Sequence, residues 1–174
     1  MSSRLAYRAR QFWNALLSPG KRVTSEALLP YLPPIQLILF RRMQPSEQLH
    51  AFQVLKRLEA DGQTDPDLLA AALLHDVGKI LSPLSLFDRM AVVVGKRLFP
   101  AAARRWGDAA PRGPHRPFVV AARHAEWGAG LARQAGASRR TVELVRRHQD
   151  PPLPEPRSRT DRLLAALQAA DDES

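Results

Sequence analysis

Histidine and aspartate are the residues in this chain with the most chemistry to offer, and cysteine is absent. Four of the five histidines align at helical spacing with apolar side chains. His50 shares a face with Val54 and Leu58, His75 with Leu68 and Ala71, His124 with Trp127, Gly128 and Leu131, and His148 with Thr141, Leu144 and Val145. Asp76 aligns with Leu69 and Leu73, and Asp171 follows Leu164 and Leu167 on the same face. A single inward histidine is accounted for by a hydrogen-bonded core residue. A whole set of inward imidazoles and carboxylates is costly to bury without a shared counter-charge, and a divalent cation supplies one. With no thiolates, any metal must be held by imidazole and carboxylate. That donor set suits Fe, Mn, Zn, Co or Ni better than Ca or Mg, which prefer oxygen alone.

Helices must position these groups, because strand-like alternation is nearly absent and the expected fold class is all-α, a single helical bundle. Helical signal follows Pro33 and Pro34 through Ile35, Leu37, Ile38 and Leu39. Ser46, behind Pro45, reads as the N-cap of a helix that stops near Asp61 and Gly62. Asp65 caps the next, with Pro66 at its first position, and Gly78 reads as a left-handed terminator. His75 and Asp76 differ by about 100° around such a helix, and near its end both can reach one centre. Further helices are expected over 85–98, 101–106, 118–135 and 138–148, with Ser138 as an N-cap, and from the N-cap Thr160 to Asp171. The Pro- and Gly-rich segment 107–117 reads as a loop with His115 exposed, and Pro151 to Pro156 as a stiff connector.

The 174 residues are 45% hydrophobic and 25% charged, which fits one soluble domain with a real core. The net charge is +9, and Arg supplies 22 of the 26 basic residues. From Arg89 to Arg147 there are 13 basic residues against Asp108, Glu126 and Glu143, a balance that favours anionic partners. Arg104, Arg105, Arg112, Arg116 and Arg123 are the cations of this segment expected to reach a phosphorylated substrate. The longest apolar run, Leu68 to Leu74, falls far short of the roughly 18 residues that span a bilayer. With no secretory apolar segment either, a cytoplasmic protein is expected. Leu5, Ala9, Phe12, Trp13, Leu16 and Leu17 recur at helical spacing among basic residues, so residues 1–44 read as a helical extension packed on a domain of residues 45–174.

The string LLHDVGK, Leu73 to Lys79, resembles the signature of the HD superfamily of metal-dependent phosphohydrolases, with His50 standing where that family has its first histidine. The segment from His124 to Asp150 is similar to the pattern of its binuclear members, and LLAALQAAD, ending at Asp171, to their last helix. The resemblance implies two divalent transition-metal ions. The first would be held by His50, His75, Asp76 and Asp171, the second by a bridging Asp76 with His124 and His148. It implies hydrolysis of a phosphate ester or anhydride of a small anionic substrate of the nucleotide class, with hydroxide bridging the metals as nucleophile. Asp76 and Lys79 are then the catalytic pair, and Lys79, Arg116 and Arg123 contact the phosphate. Lys79 equally suits a helix C-terminus, and Asp172 could stand in for Asp171. Ala125 replaces the proline that usually follows the third histidine and the GYP motif is missing, so cyclic-di-GMP is not the expected substrate. The alternatives are a non-catalytic metal- or nucleotide-binding sensor and a basic nucleic-acid or membrane-surface binder with a structural metal.

Overall fold

The structure, a computed structural model, describes residues 23–174 and is all-α, with no strand among the described residues. The basic amphipathic helix expected at the N-terminus lies outside them. Eight helices follow in order: α1 (Pro34–Arg41), α2 (Pro45–Ala60), α3 (Pro66–Leu74), α4 (Leu86–Leu98), α5 (Pro100–Gly107), α6 (Arg116–Gln134), α7 (Arg139–Arg147) and α8 (Arg159–Glu173). Short 3-10 turns at Val77–Leu81 and Gly113–His115 precede α4 and α6.

Helix α3 is the centre of the bundle. Asp65 caps it by accepting the Asp67 and Leu68 N–H groups, and every residue from Leu68 to Leu74 is buried. A fully buried Leu contributes about 1.5–3 kcal/mol relative to an exposed one, so this helix is held by packing on all sides and not by one face. Leu55 and Leu58 of α2, Leu144 and Val145 of α7, and Leu164 and Leu167 of α8 close around it. Val23, Leu28, Leu32, Phe40 and Met43, which precede α2, complete the same cluster. A second, small cluster of Val92, Ala103 and Phe118 seats α4 and α5 on α6.

Several boundaries differ from the sequence reading. Helix α2 starts at Pro45 with Gln44 as its N-cap, because Glu47 reaches back to accept the Gln44 N–H at 3.1 Å. Ser158 and not Thr160 caps α8, in a reciprocal pair with Asp161. Helix α6 takes in Pro117, whose missing N–H costs nothing in a first turn. His115 is half-buried, stacked on Trp106 with ring centroids 5.8 Å apart. Helix α3 ends at Leu74, four residues before Gly78, and Gly78 is not left-handed; among the described residues the left-handed glycines are Gly62, Gly113 and Gly136.

Gly78 serves close approach instead. A Cβ there would lie 1.9 Å from the His124 carbonyl oxygen and 2.6 Å from the Gly128 nitrogen. A Cβ on Gly128 would in turn lie 3.1 Å from the Gly78 nitrogen. The turn after α3 and the middle of α6 thus meet backbone to backbone, and this crossing sets His124 beside Asp76.

Candidate metal centre

His75 is the C-cap of α3, and Asp76 follows with φ −93° and ψ 0°, outside the α-helical region. The break in the helix turns both side chains toward one centre. His50 comes from α2, His124 from α6, His148 from the end of α7 and Asp171 from α8, so five chain segments converge here. The side chains fall into two groups whose ligand atoms lie within 4.8 Å of one another: His50, His75 and Asp171, and Asp76, His124 and His148. The Asp171 Oδ1 is 2.8 Å from His50 Nε2 and 3.5 Å from His75 Nε2. The Asp76 carboxylate spans the two groups, with Oδ1 3.2 Å from His124 Nε2 and 4.0 Å from His148 Nε2, and Oδ2 3.6 Å from His75 Nε2. The rings of His50, His75, His148 and His124 form an unbroken series with centroids 5.1 to 5.4 Å apart.

Backbone carbonyls fix which nitrogen of each buried ring faces inward. His75 Nδ1 donates to Ala72 O at 2.8 Å, His124 Nδ1 to Val120 O at 2.9 Å, and His148 Nδ1 to Val145 O at 2.8 Å. In the neutral rings the proton is then on Nδ1, and each Nε2 presents a lone pair. The Nε2 atoms of His124 and His148 face each other at 3.3 Å, and the buried His75 Nε2 has no hydrogen-bond partner. Lone pairs and carboxylate oxygens held this close repel unless a cation lies among them, so the donor set fits a divalent metal of the imidazole-binding kind.

The protonation states agree with ligation. Burial, with the neighbouring His75 acting in the same direction, pushes His148 down to about 3, so it is neutral at ordinary pH. Burial opposes ionisation of Asp171, but the His75 and His50 imidazoles outweigh it and hold the carboxyl at about 2. For Asp76, burial is again outweighed, by Lys79 and then the imidazoles, and the carboxyl titrates well below its usual range.

Asp171 faces the histidines while Asp172 is exposed. The end of α8 is tied down, with Glu173 paired to Arg57 at 2.5 Å and the Ser174 hydroxyl donating to Ala170 O at 2.6 Å. Lys79 Nζ donates to Asp76 Oδ2 at 2.5 Å. Two arginines of the sequence reading, Arg116 and Arg123, are engaged elsewhere, while Arg104, Arg105 and Arg112 are exposed. Arg116 donates to Asp88 Oδ2 at 2.7 Å, to Pro83 O at 3.0 Å and to the Ser82 hydroxyl at 3.1 Å. Arg123 is exposed and donates to Asp108 O at 3.3 Å.

Two features had escaped the sequence reading. The first is the opening of the site, where Lys96 of α4 lines a pocket with His148, Gln149, Asp150, Gln168 and Asp171. The second is Glu47, which is buried beside Asp76 and Lys79 and accepts from Arg89 Nη2 at 2.9 Å. The place of Glu47 in the first turn of α2, three residues after Gln44, was the signal available for it; Lys96 had none, since nothing local marks which of many cations borders the opening.

A helical bundle that gathers four imidazoles and two carboxylates around one centre defines an all-α protein with a candidate metal centre. Residues 46–174 match the HD domain family, and the chain belongs to that family, one of metal-dependent phosphohydrolases. No curated protein matches it, and no solved structure does. No helix among the described residues is long and apolar enough to cross a membrane.

Proposed function

We propose that the chain is a phosphohydrolase with a binuclear centre, acting on a small phosphorylated substrate of the nucleotide class. His50, His75 and Asp171 would hold one cation and His124 and His148 the other, with Asp76 shared, all within the proposed domain of residues 45–174. The observation that carries this reading is the split of the Asp76 carboxylate, one oxygen toward His75 and the other toward His124 and His148. When bound, two such cations lower the pKa of water between them and neutralise the charge of a phosphoryl group under in-line attack.

The protein's own groups do the positioning. The three Nδ1–H bonds hold the imidazoles as inward-facing acceptors, so no rotation is needed on loading. Lys79 holds its ammonium on Asp76 Oδ2, from where the charge can turn to a phosphate oxygen. Lys96 sits at the mouth and Gln168 lines it, while Gln168 also anchors the end of α7 through the His148 and Asp150 carbonyls at 3.2 and 2.8 Å. The excess of basic residues from Arg89 to Arg147 favours approach of a polyanion and supports the nucleotide class.

Metal analysis of the purified chain, followed by a phosphatase screen over nucleotides with Mn²⁺ or Fe²⁺, tests the proposal. Two metals per chain and turnover that Asp76→Ala abolishes are expected. Stoichiometric metal without turnover of any phosphorylated substrate would instead assign the chain to the non-catalytic sensors.

A further inference from the structure

Helix α4 carries its apolar residues on the outside. Phe87, Met90, Val94 and Leu98 repeat at helical spacing and form one stripe, and Phe87 and Leu98 are 81% and 61% exposed. The inward face offers little in exchange, since only Val92 and Gly95 of this helix are buried. A Cβ on Gly95 would fall 2.6 Å from the Phe118 ring, so the glycine makes room for that ring, and α4 is seated on α6 by the small Val92 and Phe118 cluster alone. An ordinary surface helix turns its stripe inward, and an inverted one marks a contact surface.

The surroundings of the stripe narrow the partner. No acidic residue occurs between Asp88 and Asp108, and Asp88 itself is held by Ser85 and Arg116. Arg97 flanks the stripe, and Arg104 and Arg105 extend the charge along α5, all exposed. A second copy of the chain would bring the same uncompensated arginines to the contact. The stripe lies along the outer face of one helix, whereas a partner helix is received by a groove. An apolar ridge with a cationic margin complements the acyl boundary and phosphates of an anionic lipid surface.

We propose that the α4–α5 hairpin docks this protein on an anionic lipid surface, the ridge entering the acyl boundary and Arg97, Arg104 and Arg105 meeting the headgroup phosphates. Lys96 lies on the other side of α4, so docking leaves the mouth of the metal centre uncovered. The proposal is independent of turnover at that centre.

Co-sedimentation of the full chain with vesicles tests it, using phosphatidylcholine mixed with phosphatidylglycerol against phosphatidylcholine alone. The wild type is expected to pellet with the anionic vesicles only and to be released by salt. The ridge variant Phe87→Ser/Val94→Ser/Leu98→Ser and the margin variant Arg97→Glu/Arg104→Glu should each stay in the supernatant. Each basic residue near the surface is worth about fivefold in affinity, so the margin variant should bind more than about tenfold more weakly. All these side chains face solvent, so helix content and Tm should match the wild type and confirm that binding alone has changed. The basic residues 1–22 are unchanged in both variants, so a ridge variant that still pellets assigns adhesion to another part of the chain and overturns the proposal. A wild type that ignores both vesicles and sediments as a dimer overturns it as well, and gives the ridge to a second copy.

Discussion

Gly78→Ala is the most direct perturbation of the geometry that assembles this site, because Gly78 is neither a ligand nor in contact with solvent. The new Cβ would lie 1.9 Å from His124 O, 2.6 Å from Gly128 N and 2.8 Å from the His124 carbonyl carbon. All three are backbone atoms, so no side chain can rotate out of the way. Relief to the 3.4 Å of ordinary contact requires α6 to retreat from the turn by about 1.5 Å. That retreat carries His124 Nε2 away from Asp76 Oδ1, now 3.2 Å distant. Metal ligands tolerate deviations of about 0.2 Å, so the His124 side of the centre should be lost. Metal affinity is expected to fall by about 100-fold, or about 2.7 kcal/mol, the upper end of what altered support around a ligand costs. Overpacking should also lower the stability of the metal-free chain by about 1–3 kcal/mol. Gly130→Ala is the control, on the same helix with no heavy atom within 4 Å of the added methyl. It should bind metal normally and gain about 0.5–1 kcal/mol of stability from helix propensity. Calorimetric Mn²⁺ titration and thermal unfolding of both variants read the two effects separately. Gly78→Ala protein that binds metal like the wild type would refute the claim that this crossing positions the site.

The other expectations concern the metal, acid and the mouth. Mn²⁺ at about 100 times its Kd should raise the Tm of stripped protein by about 5–10 °C in a thermal shift assay, and His75→Ala should lose most of that rise; no shift with any first-row metal would contradict the ligand assignment. The stripped chain should lose stability as pH falls from about 6.5 toward 3, because the unfolded chain protonates His148 while the native chain, with that residue at about 3, does not. Burial works against protonation of His50, but the Asp171 and Asp76 carboxylates outweigh it and raise its pKa, so its stabilising contribution grows only above this window and does not cancel the loss. Urea unfolding at pH 6 and pH 4 should differ by up to about 3 kcal/mol, and equal midpoints would argue that His148 is not buried as a neutral ring. Lys96→Ala should raise KM for a phosphorylated substrate by about tenfold with little change in kcat, and Lys96→Arg should restore it; an unchanged KM would remove Lys96 from the substrate path.

The candidate ligands were legible because each breaks an apolar stripe. His124 among Trp127, Gly128 and Leu131, or Asp171 after Leu164 and Leu167, stands where a hydrophobic residue is otherwise required, and helical phase alone places it inside. The same phase made the bundle legible, as did the caps Asp65 and Ser138, whose side chains do accept the N–H groups expected of them. Gln44 was less legible than Ser46 as a cap because the bond that identifies it comes from Glu47. The crossing at Gly78 could not be read, since a glycine after a helix is compatible with either a left-handed turn or a close approach, and only the neighbour's position decides. Nor could periodicity tell that α4 turns its stripe outward, because a hydrophobic stripe has the same phase whichever way the helix is rolled.

The end of α3 shows why adjacent His75 and Asp76 can both serve. In a continuous helix their side chains would diverge by about 100°, and burying one inward would send the other into the neighbouring helix. Stopping the helix at Leu74 removes that constraint, and the 3-10 turn from Val77 to Leu81 gives Asp76 a bent backbone while Gly78 brings α6 to within contact. The break would leave Asp76 a buried carboxylate with no regular partner, a costly arrangement by itself. It is tolerated because Lys79 comes round the same turn to Oδ2, while the glycine crossing carries the His124 ring to within 3.2 Å of Oδ1, where a shared cation would complete the pairing. One interruption in one helix therefore places the carboxylate proposed as the shared ligand, supplies the cation that keeps it ionised and sets the contact that brings His124 to the candidate centre.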